Sequence, residues 1–286
     1  MIPVAFFVCF LLLSEASGEF ICKLFLLTNR IASGRPIDIS SVPYQVSLLL
    51  RGWHICGAAI ILPNFVLTAA HCSRGENPFD LSVRAGSNFS DRGGEVIDVV
   101  AKKEHEQFNV SANFDCDICI LRLSRHLVFG KTVAPIPVDN AVFLLGAVGI
   151  ATGWGRKSMN SSLSRRLQQA SFTTVDPSLC KELGWELTIN MLCMGGFSGQ
   201  STCYGDSGGP LAVDGTLVGL TSFGKSIICE PPAVFTKVAM FIPWLRLNIE
   251  LMENLSNKEP IYYDHYQRVK LAVLSFIQNI VRILLR

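Results

Sequence analysis

A chain of 286 residues can bury a large core, and a two-barrel β protein of this length often counts as one unit. Its 25 basic and 23 acidic side chains leave a formal charge of +2, too small to imply nucleic acid or an acidic polymer as partner. Mean hydropathy is +0.37, high for a soluble protein, but much of the excess lies at the two ends, so the middle is read separately.

Met1 to Leu13 is apolar and leads into Ser14-Glu15-Ala16-Ser17-Gly18. Ala16 and Gly18 are the small, alternate residues that a signal-peptidase site takes, so residues 1–18 read as a secretory signal. The apolar run falls short of the roughly 20 residues a bilayer core requires. No stretch in the middle is long and apolar enough to span a membrane, so the expected destination is extracellular. Secretion sets how the ten cysteines are read. Cys9 leaves with the signal, and an odd number enters an oxidising compartment, so one is free or paired with another chain.

From Ile31 to about Val238 the chain reads as short β segments punctuated by Gly, Pro, Asn and Ser. The predicted strands are Tyr44 to Leu50, Gly57 to Leu62, Phe65 to Thr68, Leu81 to Ala85, Val96 to Ala101, Ile118 to Leu123, Val148 to Thr152, Leu211 to Val213 and Leu217 to Ser222. Without alternating helices they argue an all-β sandwich or barrel. The first helical spacing comes late, with Phe241, Trp244, Leu245, Ile249 and Met252 after Pro243.

Three local motifs carry chemistry. Thr68-Ala69-Ala70-His71-Cys72 ends an apolar strand on a histidine, and Asp117-Ile118-Cys119-Ile120-Leu121 puts an acid at the head of another. Gly205-Asp206-Ser207-Gly208-Gly209-Pro210 places a serine in a glycine-rich bend where backbone N–H groups can converge. Amide hydrolysis at neutral pH needs such parts: a nucleophile, a base to take its proton and donors for the oxyanion.

In their order and separation these residues resemble the chymotrypsin-like (trypsin/chymotrypsin family) serine proteases, over Ile31 to about Glu250. Gly153-Trp154-Gly155 and Pro43-Tyr44-Gln45-Val46-Ser47 belong to the same likeness. The resemblance implies two packed six-stranded antiparallel β-barrels with a C-terminal helix. It makes His71 the general base, Asp117 the group that fixes its tautomer and Ser207 the nucleophile. It gives the oxyanion hole to the N–H groups of Gly205 and Ser207, and support of the aspartate to Ser222. Residues 19–30 become an activation propeptide, cut after Arg30 by a protease selecting arginine. The new ammonium of Ile31 would then meet the carboxylate of Asp206. Ala32 and Ser33 depart from the more common Ile-Val-Gly-Gly. The floor of the substrate pocket falls on Ser201 and its walls on Phe223, Gly224 and Ala233. With no carboxylate at the floor, the expected substrates present uncharged bulky side chains before the cut, and Lys and Arg are excluded.

The same likeness pairs Cys56 with Cys72, Cys180 with Cys193 and Cys203 with Cys229. Cys22, Cys116 and Cys119 are left unassigned; a Cys22–Cys116 bond would keep the propeptide attached. Cys116-Asp117-Ile118-Cys119 has the spacing of a metal or redox element but lacks a second ligand pair, so no metal and no cofactor is expected. Glycosylation candidates are Asn88, Asn109, Asn160 and Asn254. After the protease region (31–250), the extension 251–286 holds an amphipathic helical pattern over Arg268 to Arg286, suited to a membrane surface, to the barrels or to a partner. The expected partners are peptide or protein substrates, the activating protease and protein inhibitors. A catalytically silent, protease-like secreted binding protein is the alternative, and the intact His71, Asp117 and Ser207 favour the enzyme.

Overall fold

The computed structural model describes residues 34–139, 146–158, 160–196, 199–225 and 229–256. The expected signal, the propeptide with Arg30 and Ile31, Cys22 and the pattern at 268–286 lie outside these described residues.

A two-residue strand, β1 (Arg35–Pro36), precedes six strands that close into the first barrel. These are β2 (Gln45–Leu50), β3 (Trp53–Leu62), β4 (Phe65–Thr68), β5 (Leu81–Ala85), β6 (Glu95–Glu104) and β7 (Cys119–Leu123). Every pairing is antiparallel, and the ring runs β2-β3-β4-β7-β6-β5. The second barrel holds β8 (Val148–Gly153), β9 (Gln168–Thr174), β10 (Met191–Gly196), β11 (Pro210–Val213), β12 (Thr216–Lys225) and β13 (Glu230–Lys237). Pairing of β8 with β9 closes it, and β1 adds to the outer edge of β9. Closure leaves neither sheet a long free edge.

The apolar runs in the sequence follow from what covers each strand. On β4 all four residues are buried. Val66 points into the first barrel with Val46, Ile60, Val83 and Leu121. Phe65 and Leu67 point the other way, into a seam shared with Ile120, Leu217, Leu220 and Phe241. A strand covered on both faces loses the polar alternation of a half-exposed one. The second barrel has its own core around Phe172, Met194, Leu211, Val218 and Phe235. At the seam the backbones approach so closely that a Cβ on Gly57 would stand 2.7 Å from the Gly209 Cα.

All nine predicted strands fall in observed ones, with Tyr44 just before β2 and Ile118 just before β7. Four observed strands were not foreseen. β1 is only two residues long; β9 (Gln-Gln-Ala-Ser-Phe-Thr-Thr) is mostly polar; β10 lacks β-branched residues; β13 begins Glu230-Pro231-Pro232. Each is placed by its neighbours in the ring rather than by local propensity. The late helical spacing is α3 (Ile242–Ser256), counted after the short α1 (Ala70–Ser73) and α2 (Pro177–Lys181). Leu245 and Met252 of α3 are buried in the seam. The helix crosses the expected boundary between the protease region (31–250) and the extension (251–286) without a break. Among the described residues no helix is long and apolar enough to cross a membrane.

Candidate active site

β4 runs out at Thr68, Ala69 stays extended, and the chain then winds into α1, which carries His71. A disulfide from Cys72 to Cys56 on β3 holds this turn to the barrel wall. Asp117 stands just before β7, fully buried. Its Oδ2 accepts from His71 Nδ1 at 2.8 Å and from the Ser222 hydroxyl, on β12, at 2.6 Å. Its Oδ1 accepts the His71 backbone N–H at 2.9 Å. Thr236 of β13 donates its hydroxyl to the Asp117 carbonyl at 2.8 Å. Groups from both barrels therefore fix one carboxylate, which in turn fixes one imidazole.

Ser207 lies in the bend that leads into β11. Gly208 there has a φ of +71°, and a Cβ on it would sit 2.1 Å from Thr68 Oγ1, so only glycine fits. The bend is pinned across the seam, with the Gly57 N–H donating to the Ser207 carbonyl at 2.8 Å and the Gly208 N–H to Thr221 at 2.7 Å. Among the described residues, the N–H groups of Gly205 and Ser207 donate to no protein acceptor. The other face of Gly205 is fixed instead: His54 Nε2 meets its carbonyl at 3.0 Å, and His54 Nδ1 meets the Ser47 hydroxyl at 2.7 Å. Burial lowers the His54 pKa, so a neutral ring donates from Nε2 and accepts from Ser47. Roles for His54 and Ser47 were not expected from the sequence; the available signal was a histidine in the otherwise apolar β3, paired with a β2 that carries Gln45 and Ser47.

Asp206 points away from the cleft. Its oxygens accept the N–H groups of Gly155 at 2.7 Å and Cys203 at 3.0 Å. Side chains on Gly153 or Gly155 would strike this carboxylate, which gives the Gly-Trp-Gly motif its physical reason. Burial pushes the Asp206 carboxyl up to about 6, against the two N–H bonds that lower it. Among the described residues no cationic side chain forms an ion pair with it. A small cavity of about 30 Å³ reaches it, with Gly34, three residues beyond Ile31, on the wall.

Ser201 is buried and lines the same cavity. Phe223 and Gly224 of β12 pair with Val234 and Ala233 of β13, and Ala233 is fully buried against the second core. The Cys203–Cys229 disulfide ties the strands' approaches, and Cys180–Cys193 joins α2 to β10. An aromatic wall absent from the sequence reading flanks the imidazole. Phe114 meets His71 edge-on at 5.5 Å and stacks on Phe223 at 5.3 Å, while Trp185 closes on Phe223 at 5.5 Å.

Cys116 and Cys119 are free and buried, and burial pushes their thiols up to about 11 and about 12. Such thiols stay protonated and inert. Cys56, His71 and Cys72 lie close enough together for a metal, but both sulfurs are spent in their disulfide. The sequons differ in setting: Asn109, Asn160 and Asn254 are exposed, Asn88 only half so.

Two closed barrels with an oriented imidazole and a glycine-bend serine at their seam define a serine-type endopeptidase. The trypsin family model matches residues 31–245, and the chain belongs to that family. It is 36% identical to trypsin alpha of Drosophila erecta over 77% of this chain and 87% of that one. It is 37% identical to a vitellin-degrading protease of Bombyx mori, over 77% and 86%. Among solved structures it is similar to neuropsin, a serine protease expressed in the limbic system of mouse brain. That likeness has a TM-score of 0.70 and 31% identity, covering 77% of this chain and all of that one.

Proposed function

We propose that the chain is a secreted zymogen whose activated form cleaves peptide bonds through an acyl-enzyme on Ser207. His71 takes the hydroxyl proton from Ser207 and later gives it to the leaving amine. Asp117 holds the Nδ1–H tautomer and stabilises the imidazolium, with Ser222 supporting it. The N–H groups of Gly205 and Ser207, which donate to no acceptor among the described residues, receive the oxyanion. The observation that carries this reading is the fully buried Asp117 carboxylate, bonded at once to the ring and backbone of His71 and to Ser222. After cleavage at Arg30, a serine-directed phosphonate should label the protein at one position, and Ser207→Ala should abolish the label. Equal labelling of the Ser207→Ala protein would refute the assignment.

Residues 1–18 serve as the signal and 19–30 as the propeptide. An arginine-selective protease exposes Ile31, whose ammonium enters the cavity beside Asp206. Asn109, Asn160 and Asn254 are the exposed candidates for glycans. The partners are peptide or protein substrates, the activating protease and protein inhibitors.

Specificity follows from Ser201. A hydroxyl cannot neutralise a buried cation, and desolvating one without a partner costs several kcal/mol. Substrates with Phe, Tyr or Leu before the cut are favoured, and the Phe114–Phe223–Trp185 wall favours apolar residues just upstream. In a panel of peptides differing only at the residue before the cut, Phe should exceed Arg by roughly a hundredfold in kcat/KM. Ser201→Asp should raise the Arg rate and lower the Phe rate. Preferential cleavage after Arg by the unaltered enzyme would refute this assignment.

A further inference from the structure

Asn88 opens a sequon, Asn88-Phe89-Ser90, yet its side chain is half-buried and bonded within the fold. Its Oδ1 accepts the Ile39 N–H at 2.7 Å, and its Nδ2 donates to Asp38 Oδ2 at 3.0 Å. Its carbonyl accepts from Trp154 Nε1 at 3.1 Å and from the Leu167 N–H at 2.8 Å. The Leu167 carbonyl in turn accepts the Ile37 N–H at 3.1 Å. One residue thus joins the 37–39 segment, the loop between β5 and β6, and the Trp154 and Leu167 stretches of the second barrel. Ile39, Val42, Trp154 and Leu167 pack into a small apolar cluster at this joint. Asp38 is held down to about 2 by the Ser40 N–H and hydroxyl and by Asn88, so it remains an anionic acceptor.

The joint is close in sequence both to Ile31 and to the residues that hold Asp206. The 37–39 segment begins six residues after Ile31, and Trp154 precedes Gly155, whose N–H holds Asp206. We propose that Asn88 is a positioning residue, a latch that clamps the amino-terminal segment to the enzyme body, and that it carries no glycan in the active protein. This rests on the reading of Ile31 and Asp206 given above. Attaching a sugar replaces one of the two Nδ2 hydrogens and sets a bulky ring beside the Asp38 carboxylate at a half-buried amide, so the latched Asn88 is expected bare.

The test uses the full secreted chain. Peptide mass analysis should find Asn88 bare. After cleavage at Arg30, cyanate reacts with the Ile31 amine only while it is out of its cavity. The rate should be low in the unaltered enzyme and about tenfold higher in Asn88→Ala, matching the loss of one or two hydrogen bonds. Asn88→Asp keeps the volume and the acceptor for Ile39 but sets a second carboxylate against Asp38; it should react as fast as Asn88→Ala, and it decides the matter if the alanine variant does not fold. Ser90→Ala removes the sequon alone and should leave the rate unchanged. A glycan on Asn88 of the active enzyme overturns the proposal. So do unchanged rates in both Asn88 variants while the unaltered amine stays shielded. An unshielded amine in the unaltered enzyme instead overturns the Ile31 reading, and the latch's role in activation with it.

Discussion

Asp117→Asn should lower kcat/KM by about 10⁴-fold while leaving the protein folded. The size follows from how the two carboxylate oxygens are used. Oδ2 accepts from the ring Nδ1 and from Ser222, and Oδ1 accepts the His71 N–H. An asparagine has only one acceptor oxygen to offer. If that oxygen keeps the His71 N–H, the amide NH₂ faces Nδ1, and the ring must carry its proton on Nε2. Nε2 then has no lone pair to take the Ser207 proton. If the amide turns over, its NH₂ points at the His71 N–H, two donors facing each other in a fully buried site. The first arrangement disables the base, and the second, which would keep the Nδ1–H tautomer, is disfavoured by that clash. Binding is expected to survive, so the loss should fall on kcat with KM nearly constant. Ser222→Ala removes one charge-assisted bond and leaves the tautomer intact, so its loss should be about tenfold. A loss of only tenfold in Asp117→Asn would mean that the tautomer does not control the rate.

The proposed catalytic groups could be picked out because each lies in a compact local motif. A histidine at the end of an apolar strand and a serine between glycines can be read within six residues. What supports them could not be read that way. Thr236 lies 119 residues from Asp117 and His54 lies 151 from Gly205, and each is an unremarked polar residue in its own strand. Phe114 and Trp185 face the imidazole and the cleft only because two loops from different barrels meet over the seam. The strands divide similarly. β4 and β7 advertise themselves through apolar runs, because both faces are covered. β9 and β13 carry glutamines, threonines and prolines and are strands because the ring must close through them. Asn88 is the sharpest case: its sequon reads as a sugar acceptor, while its contacts are those of a structural joint.

Asp206 carries the second large effect, and its sign depends on whether Arg30 has been cut. In the uncut chain desolvation pushes the half-buried Asp206 carboxyl up to about 6, above the ordinary aspartate value of 3.8. Below about pH 4 the folded and unfolded chains both hold this proton, and the group costs nothing. As pH rises through 6 the unfolded chain has already released it, and the folded protein must bear a poorly solvated anion. A shift of about two pH units corresponds to roughly 3 kcal/mol of lost stability at pH 8. The uncut chain should therefore melt about 6–12 °C lower at pH 8 than a matched Asp206→Asn chain, with the gap closing by pH 4. On the proposed activation, cleavage would supply the Ile31 ammonium and draw the carboxyl back down, so the gap should shrink. In the cut enzyme activity should fall at alkaline pH, where the Ile31 ammonium loses its proton and the pair is lost. Asp206→Asn has no anion to hold the ammonium, and its cut form should be about 10²–10³-fold less active. It should also lack the alkaline fall. A cut Asp206→Asn enzyme with full activity would show that the serine bend orders itself without Ile31, and that cleavage at Arg30 switches something else.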